Sequence, residues 1–227
     1  LASGKANDDF GAALALGDET IAVGAPGTNT VYWFERQQHE WRLADQLQQN
    51  SGGFGRSIAV AGNRLLGGSE DAADLYHQTL GQWIHETTFT SATKTPGFGR
   101  AVALERYYAV VGAEGGGRRR STGSVDVYAD KGNEWAEHAH LTAADVTSDS
   151  QFGGAVAISN NTVAIGASGR GQGASYMFSR DLDRWSMDSK LTSRWRLAPA
   201  ALAIGVLLSG MLISLFPFWD TFDSNAQ

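Results

Sequence analysis

Two histidines stand at the spacing that lets side chains on one β-strand share a ligand. His138 and His140 are separated by one residue in a run that predicts a strand, so strand periodicity puts both imidazoles on one face. Neutral imidazole is a common metal ligand, and such a pair can hold a metal ion. Both nevertheless fall on the parity opposite Trp135, which predicts the solvent-exposed side of the strand. We therefore expect polar surface side chains here and no metal site.

The other residues capable of chemistry form no constellation in the sequence. His39, His77 and His85 fall near predicted turns or outer strands and have no recurring partner. The chain has no nucleophile elbow, no zinc-protease motif and no phosphate-binding loop. It also has no cysteine, which excludes thiolate ligands and a thiol nucleophile. The carboxylates are not paired for acid–base work. We expect no catalytic residue and no cofactor, and a protein that is not an enzyme.

The charge pattern indicates the kinds of partner. A net charge of −6 argues against nucleic-acid binding, which needs a basic face. The only dense basic run, Arg118, Arg119 and Arg120, follows three glycines in a predicted loop. Such a run is either a solvated loop or a contact for acidic protein groups or anionic lipid headgroups. We expect protein partners and no small-molecule substrate.

Four copies of one short pattern position these residues. Each copy opens with a Phe-Gly pair, has a glycine fourteen residues after that Phe, and ends with a Trp followed six residues later by a large apolar residue. The Phe residues are Phe10, Phe54, Phe98 and Phe152, and the Trp residues are Trp41, Trp83, Trp135 and Trp185. The Phe residues are 44, 44 and 54 residues apart, and recurrence on this scale signals a repeat architecture.

Within each copy, four apolar runs separated by Gly-, Asn- and Asp-rich joints predict four short antiparallel strands. Such a unit is a β-propeller blade, and we expect an all-β fold of four blades at 10–47, 54–89, 98–141 and 152–191. The four Phe and the four Trp residues are expected to be buried between blades at equivalent positions. Trp135 and Leu141 share parity, so we expect both on one face of their strand.

The pattern resembles the FG-GAP repeat family, the repeat of integrin α-subunit propellers and of many bacterial exported proteins. The first copy carries both defining elements, Phe10-Gly11 and Gly24-Ala25-Pro26. The resemblance covers about residues 1–192 and implies a β-propeller, usually with more blades than four. Many members bind Ca²⁺ between the first two strands, but the joints here are too short to supply six to eight oxygens. Two alternatives stay open: a closed four-bladed ring, or an open arc completed by a partner.

A 23-residue segment without charge, 197–219, follows a linker at 193–196. As a helix of 1.5 Å per residue it is long enough for a bilayer core of about 30 Å, so we expect one transmembrane helix followed by a short acidic tail at 220–227. Ala201, Gly205 and Ser209 repeat at intervals of four and predict a helix face that packs on another membrane helix.

These features predict a membrane-anchored, protein-binding propeller, an accessory or stabilising subunit of an integral membrane complex. The alternative is an integrin-like adhesion or ligand-binding surface receptor. The orientation has conflicting signals. Arg194 and Arg196 beside the helix favour a cytoplasmic propeller by the positive-inside rule. The missing initiator Met and the usual exported setting of FG-GAP proteins favour an extracytoplasmic one, periplasmic or extracellular, which we prefer.

Overall fold

The computed structural model describes residues 7–50, 52–115, 121–169 and 173–192. They form sixteen β-strands and one short 3₁₀ turn, Pro26–Thr28. The strands make four separate sheets, each an antiparallel meander of four strands in chain order. The predicted all-β class and the four four-stranded units are confirmed.

Sheet 1 contains β1 (Leu14–Leu16), β2 (Thr20–Ala25), β3 (Thr30–Gln37) and β4 (Glu40–Gln48). Sheet 2 contains β5 (Ser57–Ala61), β6 (Arg64–Gly68), β7 (Ala72–Thr79) and β8 (Gln82–Thr90). Sheet 3 contains β9 (Phe98–Leu104), β10 (Tyr108–Ala113), β11 (Ser124–Asp130) and β12 (Trp135–Leu141). Sheet 4 contains β13 (Phe152–Ser159), β14 (Thr162–Ala167), β15 (Ala174–Asp181) and β16 (Arg184–Thr192).

Tight hairpins follow from the residues between the first two strands of a sheet. Between β5 and β6, Ala61 pairs with Arg64, which leaves a two-residue loop whose Gly62 has a φ of +60°. Between β13 and β14, the first loop residue is Asn160, with a φ of +53°. Glycine and asparagine are the residues that adopt positive φ at low cost, so these joints turn the chain without strain.

The sheets pack side by side in chain order. The main contacts between sheets involve the first strands, β1 with β5, β5 with β9 and β9 with β13, whereas the outermost strands touch little. The sheets therefore fan out from a common edge in a propeller-like arrangement. We call the face toward the preceding sheet the front face and the face toward the following sheet the back face.

Three apolar cores lie between consecutive sheets. Each core joins a back face to the next front face, and its largest members are a Phe of the Phe-Gly pair and the residues around it. The first core contains Val31, Trp33, Leu47, Phe54 and Tyr76. The second contains Leu75, Phe89, Phe98, Val111 and Tyr128. The third contains Val127, Leu141, Phe152, Tyr176 and Phe178. Burial between sheets is thus what stabilises the fold.

One prediction about strand faces is wrong, and a β-bulge is the reason. The ladder between the third and fourth strands shifts at the same point in every sheet, and the extra residue in β12 is His138. One extra residue exchanges the two faces beyond it. Trp135 therefore packs in the core between sheets 2 and 3, whereas Leu141 packs in the core between sheets 3 and 4.

The same bulge separates the two histidines that were expected on one face. His138 lies beside the Tyr108 ring, on the back face of sheet 3. His140 points to the front face, where its Nδ1 lies 2.5 Å from Asp126 Oδ1.

The prediction that the repeated Phe and Trp residues are buried is correct for sheets 2, 3 and 4 and wrong for sheet 1. Phe54, Phe98 and Phe152 are at most 1% exposed, whereas Phe10 is 52% exposed. Trp83, Trp135 and Trp185 are partly buried, whereas Trp41 is exposed. The difference arises because no sheet covers the front of sheet 1 among the described residues.

The predicted membrane segment 197–219 lies outside the described residues, together with its linker and tail. Within the part of the chain that the structure describes, no helix has the length and apolar character needed to cross a bilayer.

Candidate interaction surfaces

Glycines form the closest contacts between consecutive sheets. Gly24, Gly68 and Gly112 occupy the same position in β2, β6 and β10. A Cβ at any of them would collide with the carbonyl oxygen of the glycine in the next sheet's Phe-Gly pair, which is Gly55, Gly99 or Gly153. The partner glycines have φ values of +87° to +89°. Each junction therefore needs a glycine on both sides. The glycine on the back face leaves space for the neighbouring carbonyl, and the glycine of the Phe-Gly pair is needed both for space and for its positive φ.

Sheets 1 and 4 have the same glycines at their outer faces, where no other sheet of the described residues packs against them. Gly11 has a φ of +94°, yet an added Cβ would meet nothing within 4 Å. For Gly166, the equivalent of Gly112, the three atoms nearest to an added Cβ all belong to Ala155 in its own sheet, the closest at 3.1 Å. Among the described residues, half of a junction thus stands open at each end.

The front face of sheet 1 is an exposed aromatic surface. The Phe10 ring lies 5.3 Å from Tyr32 and 6.4 Å from Phe34. In sheet 4 the equivalent centroid distances, Phe152 to Tyr176 and to Phe178, are also 5.3 and 6.4 Å. The sheet 4 group is buried against sheet 3. The same arrangement in sheet 1 is open to solvent, together with Leu14, Leu16, Trp41 and Leu43.

The back face of sheet 4 is the complementary open surface. Leu191 is 54% exposed, whereas its equivalents Leu47, Phe89 and Leu141 are buried. Met177 and Ala164 are partly exposed on the same face. Their equivalents in sheet 3, Val127 and Val110, are fully buried against sheet 4.

A polar network fastens sheet 2 to sheet 3 beside the second core. The Arg64 guanidinium lies 3.0 Å from Glu86 and 2.9 Å from Asp130 of sheet 3. It also donates to the Arg106 carbonyl at 2.9 Å and stacks 5.1 Å from the Trp135 centroid. The Trp135 Nε1–H donates to Glu86 at 2.7 Å. Because these side chains are mostly shielded from solvent, the network is stronger than a surface ion pair.

Two buried carboxylates occupy equivalent positions in the middle sheets. Asp74 accepts a 2.6 Å hydrogen bond from Thr88 and lies 3.4 Å from His85 Nε2. Asp126 is bonded to His140, and Glu137 lies close to both, the ligand atoms of the three being within 4.8 Å. Two carboxylates and an imidazole match the donor set of a divalent ion. Because His140 already satisfies Asp126, the geometry is accounted for as a hydrogen-bonded pair.

Burial shifts the pKa values of Asp126 and His138. Burial raises the pKa of Asp126, and the hydrogen bond and charge of His140 oppose that rise only in part. Burial also lowers the pKa of His138, the positive charges of Lys131 and Arg180 lower it further, and the negative charge of Asp183 opposes this in part. The His138 Nε2 is buried without a hydrogen-bond partner. At neutral pH, His138 is therefore an uncharged packing residue.

Asp145 anchors the connection from sheet 3 to sheet 4 through two hydrogen bonds. Asp145 accepts a 3.1 Å hydrogen bond from the Tyr176 hydroxyl and a bond from the Lys190 ammonium. The Lys190 contact lowers the pKa of Asp145 and raises that of Lys190. Both side chains are largely in solvent, so the contact positions the loop more than it stabilises the fold.

A cleft opens at the rim of the junction between sheets 2 and 3. It is lined by Asp71, Thr90, Ser91, Lys94, Thr95, Pro96 and Phe98. Its hydroxyls bond one another, Ser91 with Thr93 at 3.1 Å and Thr93 with Thr95 at 2.8 Å. Thr95 also donates its backbone N–H to Ser91 Oγ. These hydroxyls hold the turn in shape.

The binding residues predicted from the sequence lie outside the described residues. They are Arg118, Arg119, Arg120, Ala201, Gly205 and Ser209. The sequence left a closed ring and an open arc as alternatives and did not decide between them, because a repeat pattern is the same whether or not a neighbour covers it. One available signal was Ser175 at a position occupied by Val31, Ala73 and Val125 in the other copies, which marks a back face of different character.

Comparisons with known proteins agree with this architecture. The model of the FG-GAP repeat family matches residues 135–178, which run from the last strand of sheet 3 to the third strand of sheet 4. No curated protein matches the sequence.

Two solved structures resemble the chain. Sqt1 of Saccharomyces cerevisiae aligns with a TM-score of 0.54 and 11% identity, over 83% of this chain and 50% of its own. A candidate 6-phosphogluconolactonase from Bacteroides uniformis aligns with a TM-score of 0.59 and 12% identity, over 80% of this chain and 57% of its own. At these identities the likeness concerns the fold alone. The chain spans about half the length of these two structures.

At each junction the Phe-Gly pair of one sheet meets the glycine that lies fourteen residues after the Phe of the preceding sheet. The family model covers Phe152-Gly153 and Gly166-Ala167, the two elements of sheet 4. The resemblance predicted from the sequence is therefore confirmed over residues 135–178, which match the FG-GAP repeat.

Proposed function

We propose that the chain is a non-enzymatic protein-binding module, anchored to a membrane by residues 197–219, that serves as an accessory or stabilising subunit of an integral membrane complex. The observation that carries the binding role is the front face of sheet 1. Phe10, Leu14 and Leu16 are exposed there at positions that are largely buried in the other sheets. Contiguous apolar patches of this kind mark protein-binding surfaces.

In this proposal the four sheets are blades of a propeller whose two end faces are left for a partner. The glycine pattern supports this view, since Gly11 and Gly166 preserve the shape of a junction that nothing in the described chain fills. A rigid row of sheets also presents its end faces without loss of conformational entropy on binding, which favours affinity.

The membrane part of the proposal rests on the sequence. Residues 197–219 have the length and the lack of charge of a bilayer-spanning helix. The partners are integral membrane subunits, contacted through Ala201, Gly205 and Ser209, with the Arg118–Arg120 loop as a second contact. The sheets lie on the extracytoplasmic side.

The test is co-purification of other membrane subunits with the full chain after gentle detergent extraction, followed by native mass measurement. On a helix, Gly205 lies between Ala201 and Ser209, whereas Gly210 lies well over 90° away from that face. Gly205→Leu is therefore expected to reduce association about tenfold or more, because it separates backbones that pack closely. The matched control, Gly210→Leu, adds the same side chain and is expected to keep association at the wild-type level.

A second comparison separates the loop from the helix. Replacing Arg118, Arg119 and Arg120 with Ala is expected to weaken association less than Gly205→Leu, and to do so more at low salt than at high salt. Recovery of the full chain with no other membrane protein would contradict the accessory role.

A further inference from the structure

We infer that the front face of sheet 1 binds the back face of sheet 4 of a second copy, so that chains of this protein join head to tail. This inference rests on the proposed protein-binding function and names its partner. Front and back faces meet three times inside the chain, so the mode of contact is already present in the molecule.

The first argument comes from the glycines. Gly112 leaves room for the Gly153 carbonyl of the following sheet, and Gly153 adopts a φ of +87° to bring it there. Gly166 leaves the same room on sheet 4, and Gly11 has the same kind of conformation on sheet 1, with φ +94°. A positive φ and a missing side chain cost stability when nothing uses them. Gly166 of one copy and Gly11 of the next complete a fourth junction.

The second argument comes from the shape of the two faces. In the third junction, the ring of Phe152 and its neighbours Tyr176 and Phe178 are buried against Val127 and Leu141. Sheet 1 presents the same aromatic group with the same ring separations. Sheet 4 presents the receiving positions, with Met177 and Leu191 at the places of Val127 and Leu141.

The third argument concerns how many copies join. A contact between two different faces of the same chain is heterologous, and it closes into a ring or continues as a filament according to the rotation between copies. The chain aligns with 50% and 57% of the lengths of the two longer structures that it resembles. Two copies therefore supply about the length of one such chain, and we expect a closed pair.

Selective cross-linking tests the geometry of the contact. The chain has no cysteine, so engineered thiols react without background. Phe89 stacks on Tyr128 across the second junction, with centroids 4.2 Å apart. Their equivalents at the open ends are Leu191 and Phe34. A full-length copy with Leu191→Cys is mixed with a full-length copy with Phe34→Cys and treated with a short bis-maleimide.

The expected product is a linked pair that contains one of each variant. Copies with Leu182→Cys and Leu80→Cys, two highly exposed turn residues away from these faces, serve as the control and are expected to stay unlinked. Links formed only between two Leu191→Cys copies would indicate a symmetric contact and would overturn the head-to-tail assignment.

Variants that leave the single chain intact test the same contact by mass. Gly166→Ala adds one methyl group against Ala155 within its own sheet, but in the joined state that methyl group would meet the Gly11 carbonyl of the next copy. We expect the variant to fold and to lose pairing, in light scattering of the full chain in detergent. Phe10→Ser is expected to weaken pairing at least about tenfold, as for a central aromatic anchor. The control Leu80→Ser removes an apolar side chain that is more exposed still and is expected to leave pairing unchanged.

The outcomes distinguish this inference from the proposed function. Head-to-tail joining would be overturned if, at about 100 times the concentration used for co-purification, the folded wild-type chain stayed monomeric and the Leu191→Cys and Phe34→Cys copies stayed unlinked. If other membrane subunits still co-purified in that case, the accessory role would stand without it. Pairing in the absence of any other subunit would support the inference and contradict the accessory role.

Discussion

Phe98 and Phe10 occupy the same position in two copies of the repeat and differ in what covers them. Phe98 is enclosed between sheets 2 and 3, and Phe10 lies on the open front of sheet 1. We expect Phe98→Ala to lower the free energy of unfolding by about 3–5 kcal/mol, since it removes a buried ring and leaves a cavity. Phe10→Ala should cost about 1 kcal/mol or less in dilute protein.

Urea denaturation of both variants at low protein concentration provides the measurement. Equal losses for the two positions would mean that the front of sheet 1 is covered in the folded monomer, contrary to the structure.

His138 predicts a pH dependence at the level of a single side chain. Its pKa is lowered in the folded protein, chiefly by burial, so the unfolded chain takes up the proton more readily. The free energy of unfolding should therefore fall as the pH drops through the ordinary value of 6.5. His138→Phe retains a ring beside Tyr108 and cannot become charged.

The variant should lose less stability than the wild type between about pH 8 and about pH 5, as measured by thermal melting across that range. His39→Asn, in an exposed hairpin turn with a φ of +75°, is the control and should leave the pH profile unchanged. An identical acid loss in His138→Phe would show that other groups cause it.

At the scale of strands, the sequence predicts the number and order of the strands. It does not predict on which face of the sheet the side chains at the two ends of the fourth strand lie. Period-two alternation places Trp135 and Leu141 on one side, and the bulge at His138 puts them on opposite sides. A bulge adds no turn residue and no glycine here, so composition does not reveal it. In all four copies a large apolar residue follows the Trp after six residues, but the reason for this spacing is visible only in the pairing with the third strand.

The Arg64 network gives a prediction at the same scale, because it joins one strand of sheet 2 to two segments of sheet 3. Arg64→Met removes the ion pairs with Glu86 and Asp130 and leaves both carboxylates largely shielded from water. We expect a loss of about 2 kcal/mol or more in the free energy of unfolding.

Arg36→Met is the matched control, since Arg36 lies 3.9 Å from Glu19 and both side chains are exposed. It should change stability by about 0.5 kcal/mol or less. Similar losses in chemical denaturation for the two variants would show that the bridge contributes no more than a surface pair.

At the scale of the whole molecule, the row of sheets predicts a gradient of stability. Sheets 2 and 3 are covered on both faces, whereas sheets 1 and 4 are each covered on one. In a linear repeat protein, stability depends on such nearest-neighbour interfaces. Hydrogen exchange in dilute protein should be slowest in β6 and β10 and fastest in β1. Joined copies should gain protection in β1 and β14, and uniform protection in dilute protein would contradict the gradient.

The class of fold was predictable from the sequence because its signals repeat four times. The sequence did not decide between a closed ring and open ends, because Phe10 has the same surrounding pattern as Phe54 and differs only in that no sheet of the described residues lies before it. The contact between buried Asp126 and exposed His140 was also missed, since the bulge shifts the parity of His140. In each case, the missing information concerned what lies next to a residue in space.

The interchangeable junctions have a consequence for how this protein changes length. Phe10, Phe54 and Phe98 follow one another at intervals of 44 residues, and Gly53 and Gly97 before the last two have φ values of +78° and +77°. Deleting 54–97 therefore joins Gly53 to Phe98 with the same local conformation, and it brings the front of sheet 3 against the back of sheet 1. Such a chain should still unfold cooperatively, at a lower melting temperature, as followed by circular dichroism. A whole sheet can therefore be duplicated or deleted as a unit, and the remaining sheets still meet through the same kind of front-to-back contact.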